Sequence, residues 1–335
     1  MFSFSYQKLM IFSKIHCHPT SFLIFIKFSQ MSRRFSSKKA PDIFYKLRSM
    51  REEDISQMIR LRRELTFQDS ISSYELCHKV DPQAFLIATD ENERVIGFGS
   101  IKNSSDTLST AGCMTIHPDY WNHGLAKKMI LHHSPRVGNR NMTLLTEARF
   151  LPVYAPYTPI LEKDYIIIDF ESQEDVNPRC LSFGNQPNTE MQYFREEFIS
   201  EVVEYDRKII GFDRKEDVVS NCLDAYGRTV VAISGSRCTG YGSIKLNIQG
   251  ACRVGPLYAE TPVVAEAVLK KLLESFAYGK GFAASVPSNN LDAVRLFGKL
   301  GKMKNVNNFR MTSKERFVLD TSHIYAIYDG EFHPL

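Results

Sequence analysis

The chain has 335 residues, of which 43% are hydrophobic and 24% are charged. This composition is that of a folded globular protein and excludes a disordered or fibrous chain, and the length favours two domains over one. The net charge of +4 is too small for the basic face that nucleic-acid binding needs, and the apolar run at 22–26 is too short to cross a bilayer. We therefore expect no nucleic-acid partner and no membrane partner.

The first 43 residues differ in composition from the rest of the chain. They are rich in Lys, Arg, Ser and Phe, and the first acidic residue is Asp42. This composition is typical of a mitochondrial presequence, with Arg-Arg-Phe-Ser at 33–36 as a cleavage-like sequence. The alternative is a translation start at Met31. We assign 1–43 to an N-terminal leader, disordered or presequence, and expect the protein in the cytoplasm or, as the alternative, in the mitochondrial matrix.

The seven cysteines are dispersed and show no Cys-x-x-Cys spacing. An odd and scattered set favours reduced thiols over a disulfide framework or a zinc site. Cys113 and Cys252 fall inside apolar, strand-like runs, where we expect buried packing residues rather than nucleophiles. We predict no metal site.

In chain order, the first half begins with a predicted strand at 45–50. Acidic residues then precede an amphipathic pattern, which predicts a helix with negative charge at its N-terminus. A second helical segment covers 72–80, and a third helix begins near Gly124. The predicted strands between them, separated by turns rich in Asp, Asn and Ser, are 84–89, 95–102 and 110–116. Residues 141–145 are a candidate fifth strand, and the prolines that follow it disrupt the next expected helix.

Much of this order returns after the polar stretch 171–188. The helix that begins at Pro262 has Thr261 as its predicted N-cap. The predicted helices are 196–205, 214–223, 262–276 and 291–300, and the predicted strands are 229–234, 240–246, 251–254, 282–286, 309–311 and 324–328. We interpret the two halves as a diverged duplication, with a first domain at 44–172, a linker at 173–192 and a second domain at 193–335.

The segment 117–130 resembles the cofactor loop of the GNAT (N-acetyltransferase) superfamily. It reads His-Pro-Asp-Tyr-Trp-Asn-His-Gly-Leu-Ala-Lys-Lys-Met-Ile, with the proline after a strand and the small residues Gly124 and Ala126 at the start of a helix. Small side chains let a pyrophosphate approach the backbone N–H groups of a helix N-terminus. Trp121 departs from the family, which usually has Arg or Gln there. The alternative is an ordinary strand–turn–helix joint.

The second half resembles a less common branch of the same superfamily over nearly all of 195–330. Its four landmarks are Tyr205–Asp206 with Gly-Phe-Asp-Arg at 211–214, Gly-Pro-Leu-Tyr-Ala at 255–259, Asn290-x-x-Ala293, and Arg310–Met311. The resemblance implies an α/β (α+β) fold of two tandem GNAT-like domains, each with a mixed, splayed central sheet flanked by helices. The splay in the second half is expected at 254–256, and in this superfamily that gap admits the pantetheine arm of the cofactor.

The resemblance implies an acyl-CoA-dependent N-acyltransferase, with acetyl-CoA as donor and an amine of a small molecule or a protein as acceptor. GNAT enzymes pass the acyl group directly to the amine. A carboxylate or imidazole removes the amine proton, a strand N–H meets the oxyanion, and a Tyr protonates the thiolate. The residues that the resemblance assigns to acetyl-CoA are Thr115, Ile116, His123, Gly124, Leu125, Ala126 and Lys127 in the first half and Val254, Gly255, Ala259, Thr261 and Asn290 in the second.

The catalytic residues stay open at this point. Phe297 stands where the thiolate-protonating Tyr is expected in the second half, and a phenyl ring cannot donate a proton. The candidates are Tyr258, Ser288, Asp206 and Asp213 in the second half and Tyr154 and Tyr157 in the first. For Asp213 the alternative is a helix cap, and for Asp206 it is an ion pair with Arg214.

We expect the working site in the second half, because its match to the family is the fuller one. Two alternatives remain. The first is a catalytically degenerate GNAT pair that acts as a CoA-binding or protein-interaction module, and the second is a scaffold with no ligand.

Overall fold

The computed structural model describes residues 43–184, 188–276 and 280–333, with the side chains of 305–307 left out. The predicted leader therefore lies outside the described residues except for its last residue. Within the described segments, no helix has both the length and the apolar character that a membrane crossing requires.

The first half confirms the predicted order of elements and adds two strands near its end. Its elements are β1 (Lys46–Ser49), α1 (Ile55–Glu64), α2 (Ser73–Val80), β2 (Phe85–Thr89), β3 (Val95–Asn103), β4 (Leu108–Ile116), α3 (Leu125–His133), β5 (Asn141–Glu147), α4 (Leu151–Tyr154), β6 (Ile160–Leu161) and β7 (Ile167–Ser172). As the prolines predict, α4 is a single turn.

The second half also follows the prediction; most of its strands are longer than predicted, whereas β14 ends two residues earlier than predicted. Its elements are β8 (Thr189–Tyr193), α5 (Ile199–Ile210), α6 (Lys215–Cys222), β9 (Gly227–Ser234), β10 (Arg237–Leu246), β11 (Cys252–Ala259), α7 (Pro262–Ser275), β12 (Phe282–Pro287), α8 (Leu291–Gly298), β13 (Lys302–Thr312) and β14 (Ile324–Ala326). β8 was not predicted, and it falls inside the segment assigned to the linker.

Local chemistry explains several helix ends. The Thr261 hydroxyl accepts a hydrogen bond from the Val264 N–H at 3.3 Å, so the predicted N-cap of α7 is confirmed. α5 ends at Gly211, whose φ of +86° lies in the left-handed region that favours glycine. These contacts set the helix limits without help from distant residues.

The described strands form one continuous sheet that runs through both halves. The order is β1-β2-β3-β4-β5-β13-β7-β12-β11-β10-β9-β8, with β6 paired to β13 and β14 paired to β11. Two neighbouring pairs are parallel, β4 with β5 and β11 with β12. Each half thus contributes one parallel pair. The strands between that pair and the outer edge of the sheet, β1 to β4 in the first half and β9 to β11 in the second, pair antiparallel.

The two halves exchange strands at the centre of this sheet. β7, from the first half, lies between β12 and β13 of the second half and is antiparallel to both. β13 in turn pairs with β5 of the first half. The domain limits at 44–172 and 193–335 remain predictions, and backbone hydrogen bonds cross the boundary between them.

Helices cover both faces of the sheet. In the second half α7 and α8 pack on one face and α5 and α6 on the other. In the first half α1 and α2 pack on one face and α3 on the other. Cys113 and Cys252 are buried and unbridged, as predicted, and the described residues contain no cluster that could hold a metal ion.

The C-terminal segment contacts both halves. β14 pairs antiparallel with β11, and Phe332, six residues later, packs its ring against Tyr74 and Phe85 in the first-half core, with centroids 5.7 and 5.8 Å apart. The segment therefore starts in the second half and ends in the first.

The strand exchange makes a prediction about fragments. A second half without β7 exposes the edges of two core strands and loses three buried apolar side chains, Ile167, Ile168 and Phe170. We expect a fragment of residues 176–335 to melt roughly 10 °C or more below a fragment of residues 162–335. Thermal unfolding followed by circular dichroism compares the two, and equal midpoints would contradict the exchange.

Candidate active site

Each half contains a fork where two parallel strands separate. In the first half, β4 and β5 pair over 108–111 and then diverge. In the second half, β11 and β12 pair over 252–254 and diverge after Val254, where the sequence predicts the splay. We call these openings the first fork and the second fork.

The second fork is filled by the chain itself. β14 pairs with β11 at Leu257 and Tyr258, and the Ile327 N–H donates to the Ser285 carbonyl of β12 at 2.8 Å. A Cβ on Gly255 would lie only 2.3 Å from the Ile327 carbonyl oxygen, so glycine is needed beside this segment. The strand backbone that a pantetheine arm would pair with is already paired.

Asn290, which the sequence predicts to bind the cofactor, holds the entry of β14. Its Oδ1 accepts from the Ala293 N–H at 3.0 Å and caps α8. Its Nδ2 donates to three backbone carbonyls at 3.0 to 3.1 Å, those of Thr321, Ser322 and Ile324. One buried side chain thus joins the start of α8 to the entry of β14.

The N-terminus of α7 is bounded by groups of the chain itself. The Thr261 hydroxyl already accepts a hydrogen bond from the first turn of the helix. Next to it, the Ala259 carbonyl lies 3.2 Å from Nδ1 of His323, the residue just before β14. Glu260, paired with Arg237 at 2.5 Å, places a carboxylate beside the helix start. A carboxylate there repels a second anion.

Asp206 belongs to a closed, buried network. Its carboxylate accepts two hydrogen bonds from Arg214, both at 2.8 Å, and one from the Tyr241 hydroxyl. Arg214 also donates to the Tyr258 hydroxyl at 3.1 Å. Burial raises the pKa of Tyr258 to about 12, against the opposing charge of Arg214. The ion pair that the sequence left open as an alternative role for Asp206 is present, and none of the four side chains is open to solvent.

The other second-half candidates also have structural roles. The Asp213 carboxylate accepts from the Lys215 N–H at 2.9 Å, which is the alternative helix-cap role. Ser288 extends the β12–β7 ladder, because its N–H donates to the Ile166 carbonyl and its hydroxyl accepts from the Ile166 N–H. Phe297 is fully buried in the core.

The first fork presents an unpaired strand edge. Beyond Ala111, no strand among the described residues pairs with β4 on its β5 side. Cys113 has a φ of +53° and lies in a bulge where two residues of β4, Cys113 and Met114, face one residue of β3, Gly99. Such bulges redirect a strand next to active sites. At the strand end, the Ile116 carbonyl accepts from the Trp121 indole N–H at 2.8 Å, so Trp121 ties the loop to β4.

The N-terminus of α3 faces this edge and is open. Its N-cap is Gly124, with a φ of +73°, and this glycine has no side chain to cap the helix. A Cβ on Gly124 would meet no atom within 4 Å. Leu125 is buried, Ala126 and His123 are half-buried and Lys127 is exposed. The free N–H groups of the first turn and the lysine form a site suited to an anion.

The C-terminal tail crosses the base of the first fork at Glu331. A Cβ on Gly112 would lie 2.0 Å from the Glu331 carbonyl oxygen, so glycine permits the crossing. The Glu331 carboxylate accepts from the Cys113 N–H at 2.5 Å and pairs with Arg62 at 3.0 Å, and its side chain is 31% exposed. This residue was missed by sequence reasoning, because no local pattern places it here.

Arg62 is the buried centre of this region. It donates twice to Asp69 at 2.7 Å and once to the Thr115 hydroxyl at 3.3 Å, while the Tyr74 hydroxyl donates to Asp69 at 2.6 Å. Burial alone would lower the pKa of Arg62, but the charges of Asp69 and Glu331 outweigh it and hold that pKa well above its usual value. The sequence does hold one indication of this role: Arg62 stands four residues after Met58, on the face of α1 where the amphipathic pattern calls for an apolar side chain.

Tyr154 lies beyond β5, at the end of α4. Burial and the nearby charge of Glu331 raise its pKa to about 12, so the hydroxyl stays protonated at neutral pH. Tyr157, the second candidate, follows in the next turn, where its N–H donates to the Tyr154 carbonyl at 2.9 Å.

Two family models match the chain, one in each half. Residues 47–147 match the model described as "Acetyltransferase (GNAT) family", and residues 202–326 match the one described as "Acetyltransferase (GNAT) domain". The chain carries two GNAT domains in tandem. No curated protein sequence matches it.

Solved structures share this tandem GNAT fold. A proposed acetyltransferase from Pyrococcus horikoshii superposes with a TM-score of 0.67 at 18% identity, over 89% of this chain and all of its own. A tandem GNAT protein from the clavulanic acid biosynthesis pathway gives 0.56 at 11% identity, over 82% and 100%. A GCN5-related N-acetyltransferase from Sphaerobacter thermophilus gives 0.53 at 12%, over 80% and 94%. At these low sequence identities, the similarity shows a shared fold and nothing further.

The two GNAT domains therefore differ at corresponding places. The residues predicted to bind acetyl-CoA in the first domain lie along one open edge and helix start. Those predicted in the second domain, from Val254 to Asn290, surround the chain's own β14.

The buried pair of the second domain generates a stability prediction. Arg214→Met leaves the Asp206 carboxylate buried without its cation, so we expect a loss of about 3–5 kcal/mol in the free energy of unfolding. Asp213→Asn is the matched control, because Asn caps a helix as well as Asp, and it should cost less than about 0.5 kcal/mol. Urea denaturation measures both, and a small loss for Arg214→Met would mean that Asp206 does not depend on its partner.

Proposed function

We propose that the chain is an acyl-CoA-dependent N-acyltransferase that transfers an acetyl group from acetyl-CoA to an amine at the first fork. The observation that carries the proposal is the contrast between the forks: the first has an unpaired strand edge beside an uncapped helix, whereas the second holds β14. This moves the working site from the second half, where the sequence placed it, to the first.

The first fork offers groups for both parts of acetyl-CoA. The backbone of β4 after the bulge, at Thr115 and Ile116, has no strand neighbour on its β5 side and would lie along the pantetheine arm, while the Ile116 carbonyl keeps its hydrogen bond from the Trp121 indole. The first turn of α3, from Gly124, would bind the pyrophosphate through its N–H groups, with Lys127 adding positive charge. Trp121, which replaces the usual Arg or Gln, fixes the loop by its bond to Ile116.

The transfer itself needs few groups. The amine nitrogen bonds to the thioester carbonyl carbon, and the carbon–sulfur bond then breaks. An N–H of β4 near the bulge would stabilise the oxyanion formed in between. The protonated Tyr154 hydroxyl would donate to the leaving thiolate, and the acceptor amine approaches from the side of the fork that Tyr154 faces.

A pair of GNAT domains that binds CoA without turnover is the alternative function. The filled second fork favours a loss of turnover for the second domain only. An assay of free thiol released from acetyl-CoA across a panel of primary amines separates the two functions, because a binding module releases none.

A charge placed at each helix start tests which fork binds the donor. Gly124→Asp puts a carboxylate where the pyrophosphate would lie, and Asp and Asn both tolerate the left-handed backbone. We expect Gly124→Asp to bind CoA at least about tenfold more weakly than Gly124→Asn, roughly 1.4 kcal/mol. Isothermal titration of the full-length protein with CoA measures both affinities.

The matched controls lie at the second fork. Asp and Asn are both good N-caps, so Thr261→Asp and Thr261→Asn should fold alike and bind CoA as the wild-type protein does, with one CoA per chain. A loss of affinity in Thr261→Asp with none in Gly124→Asp would place the donor in the second fork and contradict the proposal.

A further inference from the structure

The strands of the first fork carry no proton acceptor at its base. β4 contains no Asp, Glu or His, and the only such residue of β5 is Glu147, at the far end of the strand, where it pairs with Arg149 at 2.7 Å. A primary amine is mostly protonated near neutral pH and must lose a proton before it attacks. The group that takes this proton must therefore come from another part of the chain.

Glu331 is the carboxylate that the fold brings to this place. Its carboxylate accepts a hydrogen bond from the Cys113 N–H, at the bulge where β4 diverges from β5, and its side chain remains partly exposed. Its charge reaches the hydroxyl of Tyr154, which lies at the end of α4, beyond β5. The first fork thus has a carboxylate beside β4 at its base and a phenol beyond β5.

We propose that Glu331 is the proton acceptor of the first fork, and that the second GNAT domain uses its filled fork to hold the tail that delivers this residue. The inference rests on the proposed function. It assigns the second domain a role in the reaction without a donor site of its own.

The tail is fixed on both sides of Glu331. Before it, β14 is paired in the second fork, and the Asp329 carboxylate accepts from the Ser73 hydroxyl at 2.9 Å. After it, Phe332 is buried in the first-domain core. A carboxylate held from both ends loses little freedom when it acts, which favours an ordered catalytic geometry.

The ammonium nitrogen loses two protons in the reaction, one before and one after it attacks. The Glu331 carboxylate takes one proton from the ammonium group and later returns it to solvent. The neutral nitrogen forms a bond to the thioester carbonyl carbon, the carbon–sulfur bond breaks, and its electron pair leaves with the sulfur. The second proton that the nitrogen loses ends on the thiolate, which gives an amide and free CoA.

Glu331→Gln in the full-length protein is the direct test. The amide keeps the size of the side chain and can still accept from Cys113, but it takes no proton. With the amine that gives the fastest thiol release in the panel, we expect turnover at pH 7 to fall at least about 100-fold. The affinity for acetyl-CoA, measured by calorimetry, should stay within about threefold. Glu315→Gln, at an exposed position of the same C-terminal region, is the control and should leave both unchanged.

The pH dependence separates a proton acceptor from a merely structural residue. Without Glu331 the enzyme must use amine that is already neutral, so turnover of Glu331→Gln should rise about tenfold per pH unit from 7 to 9, while that of the wild-type protein stays nearly flat. The titratable groups around Glu331 are Arg62, Asp69, Tyr74, Cys113, Tyr154 and Asp329. Burial keeps the pKa of Tyr74, Cys113 and Tyr154 far above this range.

Asn290→Ser tests the delivery of the tail. Serine can still cap α8 but cannot make the three donations that hold the entry of β14. We expect about a tenfold lower turnover with unchanged affinity for acetyl-CoA, although residue 290 lies in the other domain. Unchanged turnover would overturn the delivery role.

The outcomes distinguish the two proposals. If wild-type protein releases CoA and Glu331→Gln does so equally fast, or with a defect that is the same at every pH, the role of Glu331 is wrong and the proposed function stands. If wild-type protein neither binds acetyl-CoA nor releases thiol with any amine, the proposed function fails and this inference fails with it.

Discussion

The pairing of β14 with β11 is the interaction on which our proposed assignment of the donor site depends. Backbone N–H and C=O groups at a strand edge need partners, and in the second fork the chain supplies them itself. Removing β14 would also expose Ile324 and Ile327, both fully buried, at a cost of about 1.5–3 kcal/mol for each side chain. In the first fork no described strand pairs with β4 on its β5 side beyond Ala111, and the tail lies against Gly112 and Cys113 of β4 and close to Leu145 of β5.

The exchange of strands makes the two GNAT domains depend on each other. Because β7 completes the second domain and β13 borders the first, neither half keeps all of its strand neighbours when the other is removed. Under our proposal the second domain lacks a donor site and is still required, since it supplies the sheet edge beside β5 and the anchor of the tail. Studies of isolated halves would examine incomplete sheets.

Much of the fold could be predicted because its signals are local. The cap at Thr261, the cap at Asp213, the splay after Val254 and the shortened α4 each depend on residues within a turn or two. Each was read from a residue type with a fixed conformational preference: a hydroxyl or carboxylate at a helix start, a glycine beside close backbone, a proline within a helix. The pair of Asp206 with Arg214 belongs to the same class, because only one loop separates them.

The occupants of the forks could not be predicted, because strand pairing carries little side-chain specificity over long separations. β14 lies more than sixty residues after the strand it pairs with, and a strand of three residues gives almost no pattern of its own. The position of Glu331 depends in turn on the path of the chain after β14, which no local pattern predicts. Arg62 was visible as a charge at an apolar helix position, but its partner in the distant tail was not.

The central claim is that one fork of the tandem pair receives the donor and the other is closed by the chain's C-terminal strand. A crystal structure of the full-length protein grown with acetyl-CoA tests it most directly. We predict density for the donor between β4 and β5, with its phosphates at the start of α3, and β14 in its place beside β11. Donor density between β11 and β12, with β14 displaced, would contradict this account.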